Sequence, residues 1–308
     1  MELTAPNRLS TLEIVLDGLM RRYQERVPDV GGIIAAMQEA GLIAQPGDIE
    51  NDHIAFRTMG VPQLGIASLE RIFLHYGYQK RDYYNFPAKK LNAYWYAPPQ
   101  PEYPRIFISE LRVDDLSETA QRIIRSYTDE VATDPVDALD LDDGAAVDAF
   151  LHQALWRLPT LSDYETLAAE SEYAAWVIYN RYYLNHFTIT IHNLPESANT
   201  IAKFNGFLEA RGFQLNDSGG KIKVSDDGLL LQSSTVAQMI DAEFADGRGG
   251  TVTRSISGSY VEFAERRPLP EFSDAAALDR AQRRDGFEAS NADKIFESTY
   301  SDQTRKRG

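Results

Sequence analysis

The chain has 308 residues, no cysteine and a formal net charge of −15 at pH 7. The absence of thiols excludes disulfides, thiolate nucleophiles and cysteine-held metal sites, so any metal needs nitrogen and oxygen ligands. The acidic balance argues against a nucleic-acid partner, because a polyanion is bound by a concentrated basic surface. We expect no membrane partner and a cytoplasmic location, since no apolar run reaches the roughly 18 residues of a membrane helix and the N-terminus lacks a signal-peptide pattern.

The first third of the chain is predicted to contain two helices and then a β-rich stretch. Residues 8–43 carry apolar side chains at helical spacing, interrupted by Pro28. The first β module, 50–113, is predicted to hold strands at 53–58, 90–96 and 105–111 and a helix at 66–76. Residues 114–185 are rich in alanine, leucine and acids and are predicted to form an acidic helical insert.

The β pattern returns in the second half of the chain. The second β module is predicted over 186–270, with strands at 186–191, 221–225, 228–233, 250–256 and 259–264 and a helix at 198–210. Residues 271–308 are predicted to be a partly helical tail. We treat the five segments as parts of one catalytic domain, 1–308.

The two β modules resemble each other, and this internal repeat indicates the architecture. In each, a histidine opens the first strand, a helix follows and a glycine ends it, as at His53 and Gly77 and again at His186 and Gly212. About three further strands follow in each module. The sequence therefore predicts an α+β fold in which two βαβββ modules form an incomplete barrel around a metal site.

Three residues of the predicted strands have the chemistry of metal ligands. His53 and His186 open equivalent strands, and Glu262 lies in the last strand of the second module. Two imidazoles and one carboxylate leave coordination positions open, which suits Fe(II) and O₂ chemistry. Zinc and manganese are alternatives for the same donors. Glu110, in a late strand of the first module, is a candidate fourth ligand, a group that supports a ligand, or a surface acid.

Basic and polar residues beside these strands are candidate substrate contacts. Arg57 lies four residues after His53, on the same face of the strand. Its planar guanidinium suits bidentate binding of a carboxylate, so it is the predicted catalytic and substrate-binding residue. Lys90, Gln232 and Arg254 also lie on or beside strands expected to face the cleft and are predicted as further substrate contacts.

At these positions the sequence resembles a known family. The segments that carry the resemblance include NDHIAFRT at 51–58, KKLNA at 89–93, ISEL at 108–111, NHFT at 185–188, LLLQSS at 229–234, SYVEFAER at 259–266 and RDGF at 284–287. Together they resemble the 2-oxoadipate dioxygenase/decarboxylase family, which is related to the vicinal oxygen chelate superfamily.

The resemblance implies an Fe(II) enzyme whose metal ligands fall on His53, His186 and Glu262 and whose carboxylate-binding arginine falls on Arg57. It implies that a 2-oxo acid and O₂ are the small-molecule partners, and that 2-oxoadipate is converted to 2-hydroxyglutarate and CO₂ in lysine breakdown. A zinc or manganese isomerase or lyase on the same scaffold is the alternative enzyme. A metal- or ligand-binding protein without catalysis is the alternative outside enzymes.

Overall fold

A computed structural model describes residues 5–275 and 277–307 of the chain. The described residues form ten α-helices, a curled eight-stranded sheet and a separate two-stranded hairpin. The helices are α1 (Ala5–Arg26), α2 (Pro28–Glu39), α3 (Ile66–His75), α4 (Glu118–Thr128), α5 (Gly144–His152), α6 (Leu161–Glu170), α7 (Glu172–Asn180), α8 (Ile201–Glu209), α9 (Ala289–Phe296) and α10 (Ser301–Thr304). The strands are β1 (Asn51–Met59), β2 (Gln79–Phe86), β3 (Leu91–Ala97), β4 (Arg105–Leu111), β5 (His186–Thr190), β6 (Lys223–Val224), β7 (Leu230–Ser234), β8 (Met239–Ala245), β9 (Thr251–Ser257) and β10 (Tyr260–Arg266).

The eight-stranded sheet is built from two copies of one βαβββ unit. The first copy is β1–α3–β2–β3–β4 and the second is β5–α8–β6–β7–β10, in the sheet order β2-β3-β4-β1-β5-β10-β7-β6. In each copy the first and last strands are parallel neighbours, and the antiparallel pairing of β1 with β5 joins the copies. The predicted α+β class and two-module architecture are confirmed.

Each module ends its helix with a glycine for the same physical reason. Gly77 follows α3 with a φ of +93° and Gly212 follows α8 with a φ of +83°. The residue after each glycine donates its backbone N–H back to the helix, to Phe73 and Leu208 respectively, at 3.1 Å. This reversal needs a left-handed residue, which glycine supplies without the steric cost of a Cβ atom.

The hairpin of β8 and β9 is inserted between β7 and β10. Its inner face carries Ala242, Phe244 and Ile256, which pack against Tyr164 of α6 and Tyr179 of α7. The sequence analysis placed a strand near β9 but none at β8. The alternation of apolar residues along β8 is the signal that predicts it.

The helices outside the modules cover the sheet. In the insert, α5 packs against α1, where the Arg22 guanidinium donates to Asp148 at 3.2 Å. Helix α7 lies against β1. At the C-terminal end, α9 packs against β2, β6 and β7, and Lys89 binds Asp293 of that helix at 2.8 Å. Within the described part of the chain, no helix combines the length and apolar character that a bilayer crossing requires.

Candidate metal centre

Three buried side chains converge from the central strands of the sheet. His53 Nε2 on β1 lies 3.3 Å from His186 Nε2 on β5 and 3.4 Å from Glu262 Oε1 on β10. His186 Nε2 lies 3.1 Å from Glu262 Oε2. Donor atoms that share one ion at about 2.1 Å lie about 3.0 to 3.4 Å apart. The three side chains therefore form a group that fits one metal ion.

Strand register explains why these three residues meet. The antiparallel pairing of β1 with β5 places His53 opposite Thr188, and the parallel pairing of β10 with β5 places Glu262 opposite the same threonine. His186 lies two residues before Thr188 and so on the same face of β5. Adjacent central strands thus bring residues that are distant in sequence to one point.

Each of the three candidate ligands is held by a further polar side chain. The Nδ1 atom of His53 lies 2.7 Å from Asp52 Oδ1, and the Nδ1 atom of His186 lies 3.1 Å from Asn185 Oδ1. Gln232 Nε2 donates to Glu262 Oε1 at 2.6 Å. Such contacts fix the imidazole tautomer, so that Nδ1 donates to the partner and Nε2 is left to bind a metal.

Asp52 is the most strongly paired of these supporting groups. Arg266 donates to its carboxylate from Nε at 2.6 Å and from Nη2 at 2.9 Å, and Arg105 lies 3.3 Å away. Burial raises the pKa of the Asp52 carboxyl, but the two guanidiniums outweigh this effect and hold that pKa well below its usual value. Asp52 is therefore an anion beside His53.

The two histidines differ in their electrostatic surroundings. Burial lowers the pKa of the His53 imidazole, but the neighbouring Glu262 and Asp52 carboxylates outweigh burial and raise it. Burial, together with the charges of His53 and Arg57, holds the pKa of His186 well below its ordinary value. His186 is therefore neutral at pH 7, which is the form of imidazole that binds metals.

The cluster opens into a largely apolar cavity that all three candidate ligands help to line. Phe107 of β4 lines one side, and Phe287, Ile295 and Phe296 of the C-terminal segment line another. The Phe287 ring stands edge-on to the His53 imidazole with 4.7 Å between centroids. The sequence analysis placed no functional residue in the C-terminal segment, because scattered apolar side chains give no chemical signal.

Arg57 lies in the wall of this cavity and is fully buried. Its Nη1 donates to Thr299 Oγ1 at 2.9 Å and its Nη2 to the Phe296 carbonyl at 3.0 Å. Its guanidinium also lies 5.1 Å from the Tyr173 ring centroid and 5.2 Å from that of Trp176, both on α7. Both terminal nitrogens of the guanidinium, which were predicted to bind a carboxylate, therefore donate hydrogen bonds to the protein.

Three polar atoms of cavity-lining residues have no hydrogen-bond partner among the described residues. They are Arg57 Nε, Asn185 Nδ2 and the Tyr260 hydroxyl. A buried polar group left unpaired costs about 1–3 kcal/mol. We therefore expect a polar ligand to pair with at least part of this set. The sequence analysis noted that Tyr260 shares the face of Glu262 but assigned no role to it.

Two predicted substrate contacts lie away from the cavity. Lys90 adopts a left-handed backbone conformation with φ of +57° at the turn before β3, and its Nζ lies 3.4 Å from Glu170 Oε1. Arg254 is on the exposed face of β9 and donates to Glu165 at 3.0 Å. The structure therefore gives neither side chain access to the metal cluster, whereas Gln232 lines the cavity.

Glu110 points away from the cluster. Its Oε2 accepts a hydrogen bond from the Ile66 backbone N–H at 3.0 Å, at the start of α3. In the second module, Glu262 lies two residues after Tyr260, which pairs with His186. In the first module, the residue two positions after Arg105, which pairs with His53, is Phe107. Phe107 is therefore the counterpart of Glu262. An apolar ring thus occupies the position of a fourth ligand.

The other three histidines are engaged elsewhere. His75 is half-buried, with Nε2 2.8 Å from Asp142, and His152 Nδ1 lies 2.8 Å from the Asp148 carbonyl. His192 Nδ1 accepts the Arg266 backbone N–H at 3.1 Å, and burial lowers the pKa of His192 to about 3.

Comparison with known proteins identifies the family of the chain. A family model described as 2-oxoadipate dioxygenase/decarboxylase matches residues 15–280. A relative from Arabidopsis thaliana, named "2-oxoadipate dioxygenase/decarboxylase, chloroplastic", is 47% identical over 269 residues, which cover 83% of this chain and 70% of the relative. The crystal structure of hydroxyglutarate synthase from Oryza sativa in complex with 2-oxoadipate matches with a TM-score of 0.88 and 42% identity, covering 98% of this chain and 96% of that chain. A glyoxalase superfamily protein from Ralstonia eutropha shares the fold, with a TM-score of 0.70 and 23% identity over 88% of this chain and 83% of that chain. The chain therefore belongs to the 2-oxoadipate dioxygenase/decarboxylase family and is an enzyme.

Proposed function

We propose that this protein is an Fe(II)-dependent dioxygenase that converts 2-oxoadipate and O₂ to 2-hydroxyglutarate and CO₂. The observation that carries the proposal is the buried group of His53, His186 and Glu262 inside a largely apolar cavity. Family membership supports the proposed substrate, because the Arabidopsis relative is named for this activity and the rice structure holds 2-oxoadipate.

The donor set of the cluster fits Fe(II). Two imidazoles and one carboxylate are the ligand types of non-haem Fe(II) oxygenases, and three ligands leave positions open for substrate and O₂. Bound by His53, His186 and Glu262, Fe(II) would supply the redox chemistry that activates O₂. The same three donors suit zinc or manganese, so the test below compares the metals.

Arg57 is the proposed binding residue for a substrate carboxylate. Its guanidinium is buried, and its two hydrogen-bond partners, Thr299 and the Phe296 carbonyl, are uncharged. A buried cation favours an anionic ligand, because the ligand offsets the cost of holding the charge away from water. A dianionic 2-oxo acid has the charge that this position requires.

The apolar walls of the cavity are proposed to exclude water from the reaction. Phe107, Phe287, Ile295 and Phe296 line the cavity beside the cluster. A site without free water strengthens the attraction between Arg57 and the substrate carboxylate. It also directs the activated oxygen to the substrate instead of to solvent.

The proposed reaction needs no reductant besides its own substrate. Loss of CO₂ from the 2-oxo acid and hydroxylation of the remaining five-carbon chain each remove two electrons, and together they reduce one O₂ fully. One oxygen atom completes the new carboxylate and the other becomes the hydroxyl group. A separate 2-oxo acid co-substrate is not required.

The test is O₂ consumption by metal-free protein reloaded with Fe(II), Zn(II) or Mn(II) under anaerobic conditions and then mixed with 2-oxoadipate and O₂. We expect uptake with Fe(II) alone and one 2-hydroxyglutarate and one CO₂ for each O₂, identified by mass spectrometry. Turnover without O₂ uptake, or turnover with Zn(II), would instead support the isomerase or lyase alternative.

Three further expectations accompany this function. The cytoplasmic location and a role in lysine breakdown stay proposals, and the chloroplast in the Arabidopsis name belongs to that relative. The action of residues 1–308 as one catalytic domain is also a proposal. It is supported by one large apolar cluster that extends from Leu12 to Phe296 and includes residues of both modules.

A further inference from the structure

Tyr260 presents an unpartnered hydroxyl to the cavity. The residue begins β10, lies opposite His186 in the parallel pairing with β5, and shares the face of Glu262 two residues later. Its side chain is fully buried, and its hydroxyl has no hydrogen-bond partner among the described residues. The proposed function assigns nothing to this group.

The tyrosine ring is fixed firmly in place. It packs on the His186 imidazole with 4.8 Å between centroids and 32° between planes. The Tyr260 backbone carbonyl accepts a hydrogen bond from the Tyr23 hydroxyl. A phenylalanine would pack on His186 in the same way, so the hydroxyl adds hydrogen-bonding capacity that the packing does not use.

The neighbours of the hydroxyl are already engaged with other groups. The Arg57 guanidinium and Ser298 lie within interaction distance of the hydroxyl, although neither forms a hydrogen bond of good geometry with it. Ser298 Oγ donates to the Ile295 carbonyl at 2.7 Å and lies 2.8 Å from Ser234 Oγ. The terminal nitrogens of Arg57 donate to the C-terminal segment, which leaves Nε unpartnered.

Arg57 Nε and the Tyr260 hydroxyl are therefore two donors that lack a hydrogen bond of good geometry, on side chains that line one cavity and interact with each other. A carboxylate has two oxygens, and each accepts hydrogen bonds in the plane of the group. Two donors of this kind bind one carboxylate more specifically than a single cation does.

We propose that Tyr260 is a further substrate-contacting residue, whose hydroxyl donates a hydrogen bond to the carboxylate that Arg57 binds. This inference rests on the proposed function, because it takes a 2-oxo acid as the ligand. Arg57 supplies charge and one donor, and Tyr260 supplies the second donor without adding charge. The pair orients the carboxylate beside the metal cluster.

The experiment compares wild type, Tyr260→Phe and the control Tyr182→Phe. Tyr182 is also buried, but its hydroxyl donates to the Leu64 carbonyl at 2.8 Å, away from the cavity. Each protein is loaded with Mn(II), and calorimetry measures first the metal affinity and then the affinity for 2-oxoadipate. The shift of the unfolding midpoint on adding 2-oxoadipate is a second readout that also reports folding.

We expect Tyr260→Phe to bind 2-oxoadipate about tenfold more weakly than wild type, the usual size for a lost hydrogen bond to a charged group. Its Mn(II) affinity should stay within about twofold of wild type, and Tyr182→Phe should match wild type in both measurements. With Fe(II) and O₂, the KM of Tyr260→Phe should rise by a similar factor.

Unchanged 2-oxoadipate affinity in Tyr260→Phe would overturn the inference. Loss of Mn(II) affinity in that variant would also overturn it, since the hydroxyl would then act through His186. The wild-type titration tests the proposed function separately. If metal-loaded wild type does not bind 2-oxoadipate, the proposed substrate fails and the inference fails with it, whereas a wild-type signal with no variant effect rejects Tyr260 alone.

Discussion

Arg57 on the first strand of the sheet donates a hydrogen bond to the backbone carbonyl of Phe296, 239 residues later, at 3.0 Å. Thr299 accepts a second hydrogen bond from the same guanidinium at 2.9 Å. The C-terminal segment thus fixes the orientation of a buried arginine that lines the cavity beside the candidate metal ligands. The proposed binding of substrate by Arg57 therefore depends on a segment that contains none of the three candidate metal ligands.

Thr299→Val tests this dependence, because it removes the acceptor and preserves the shape of the side chain. We expect a loss of about 1–3 kcal/mol in the free energy of unfolding, since the Arg57 Nη1 group is left unpaired. We also expect a rise of several-fold in KM for 2-oxoadipate, with metal affinity unchanged. Thr190→Val is the matched control, because the buried Thr190 hydroxyl has no partner among the described residues. Equal KM values in the two variants would contradict the role of Thr299.

Glu262→Gln tests the metal cluster. The amide keeps the shape of the side chain but removes the negative charge that binds the ion, so we expect metal affinity to fall at least 100-fold and turnover to be lost. Metal titration of the purified apoprotein measures the affinity directly.

Glu110→Gln is the control for that variant. Its amide oxygen can still accept the Ile66 N–H, and the side chain lies away from the cavity. We expect wild-type metal affinity and activity. A Glu110→Gln protein that loses metal would mean that both modules contribute a carboxylate.

Gln232→Met separates two roles for a residue that was predicted to bind substrate. Gln232 donates to Glu262 at 2.6 Å and accepts from Asn291 at 3.0 Å, which makes it a support for a metal ligand. Loss of such a support typically lowers metal affinity about 10- to 100-fold. We expect that loss in metal titrations, with little change in KM once metal is saturating. Ser233→Ala, which alters the opposite face of β7, should leave metal affinity unchanged.

Lys90→Met and Arg254→Met should leave KM for 2-oxoadipate within about twofold of wild type. Both cations are paired with exposed glutamates outside the cavity, and such surface pairs contribute about 0–1 kcal/mol. Steady-state kinetics at low and high salt check this expectation. A tenfold rise in KM in either variant would place that side chain on the substrate's path.

The stability of the protein should fall on mild acidification because of His192. Burial and the nearby Arg283 charge lower the pKa of His192 to about 3, from an ordinary value near 6.5. The folded state therefore holds the neutral form, and this contribution is complete above about pH 6.5 and is lost as the pH falls toward 3. The loss is at most about 1.4 kcal/mol per pH unit.

His192→Asn removes this titration and keeps an acceptor for the Arg266 N–H. Urea unfolding at about pH 7, 6 and 5 should show a steeper loss of the free energy of unfolding in wild type than in the variant. Parallel pH profiles would mean that His192 is protonated in the folded protein.

The repeat and the period-2 alternation determined much of the site from the sequence. Both are local signals, readable within a few residues of His53, His186 and Glu262, and a repeat implies that its first strands meet. The prediction of substrate contacts from their position beside a strand was weaker than the prediction of the metal ligands. It selected Lys90 and Arg254, whose side chains the left-handed turn and the separate hairpin carry away from the cavity.

The side chains that hold the candidate metal ligands in place depended on the tertiary fold. A register shift between Asn51 and His53 in the pairing of β1 with β5 marks a local irregularity at Asp52, whose carboxylate reaches the adjacent His53. Simple alternation places those two side chains on opposite faces. Arg266, which holds Asp52, is 214 residues away from it.

The sequence by itself indicated the two-module fold and the candidate metal ligands, because periodicity and repeats are properties of short segments. It also contained the motifs whose resemblance implied the family. The tertiary structure alone decided which donors remain free in the cavity, through contacts such as Arg57 with Phe296 and Tyr260 with His186. Such contacts join residues that are tens to hundreds of positions apart, and packing determines them where no local pattern in the chain does.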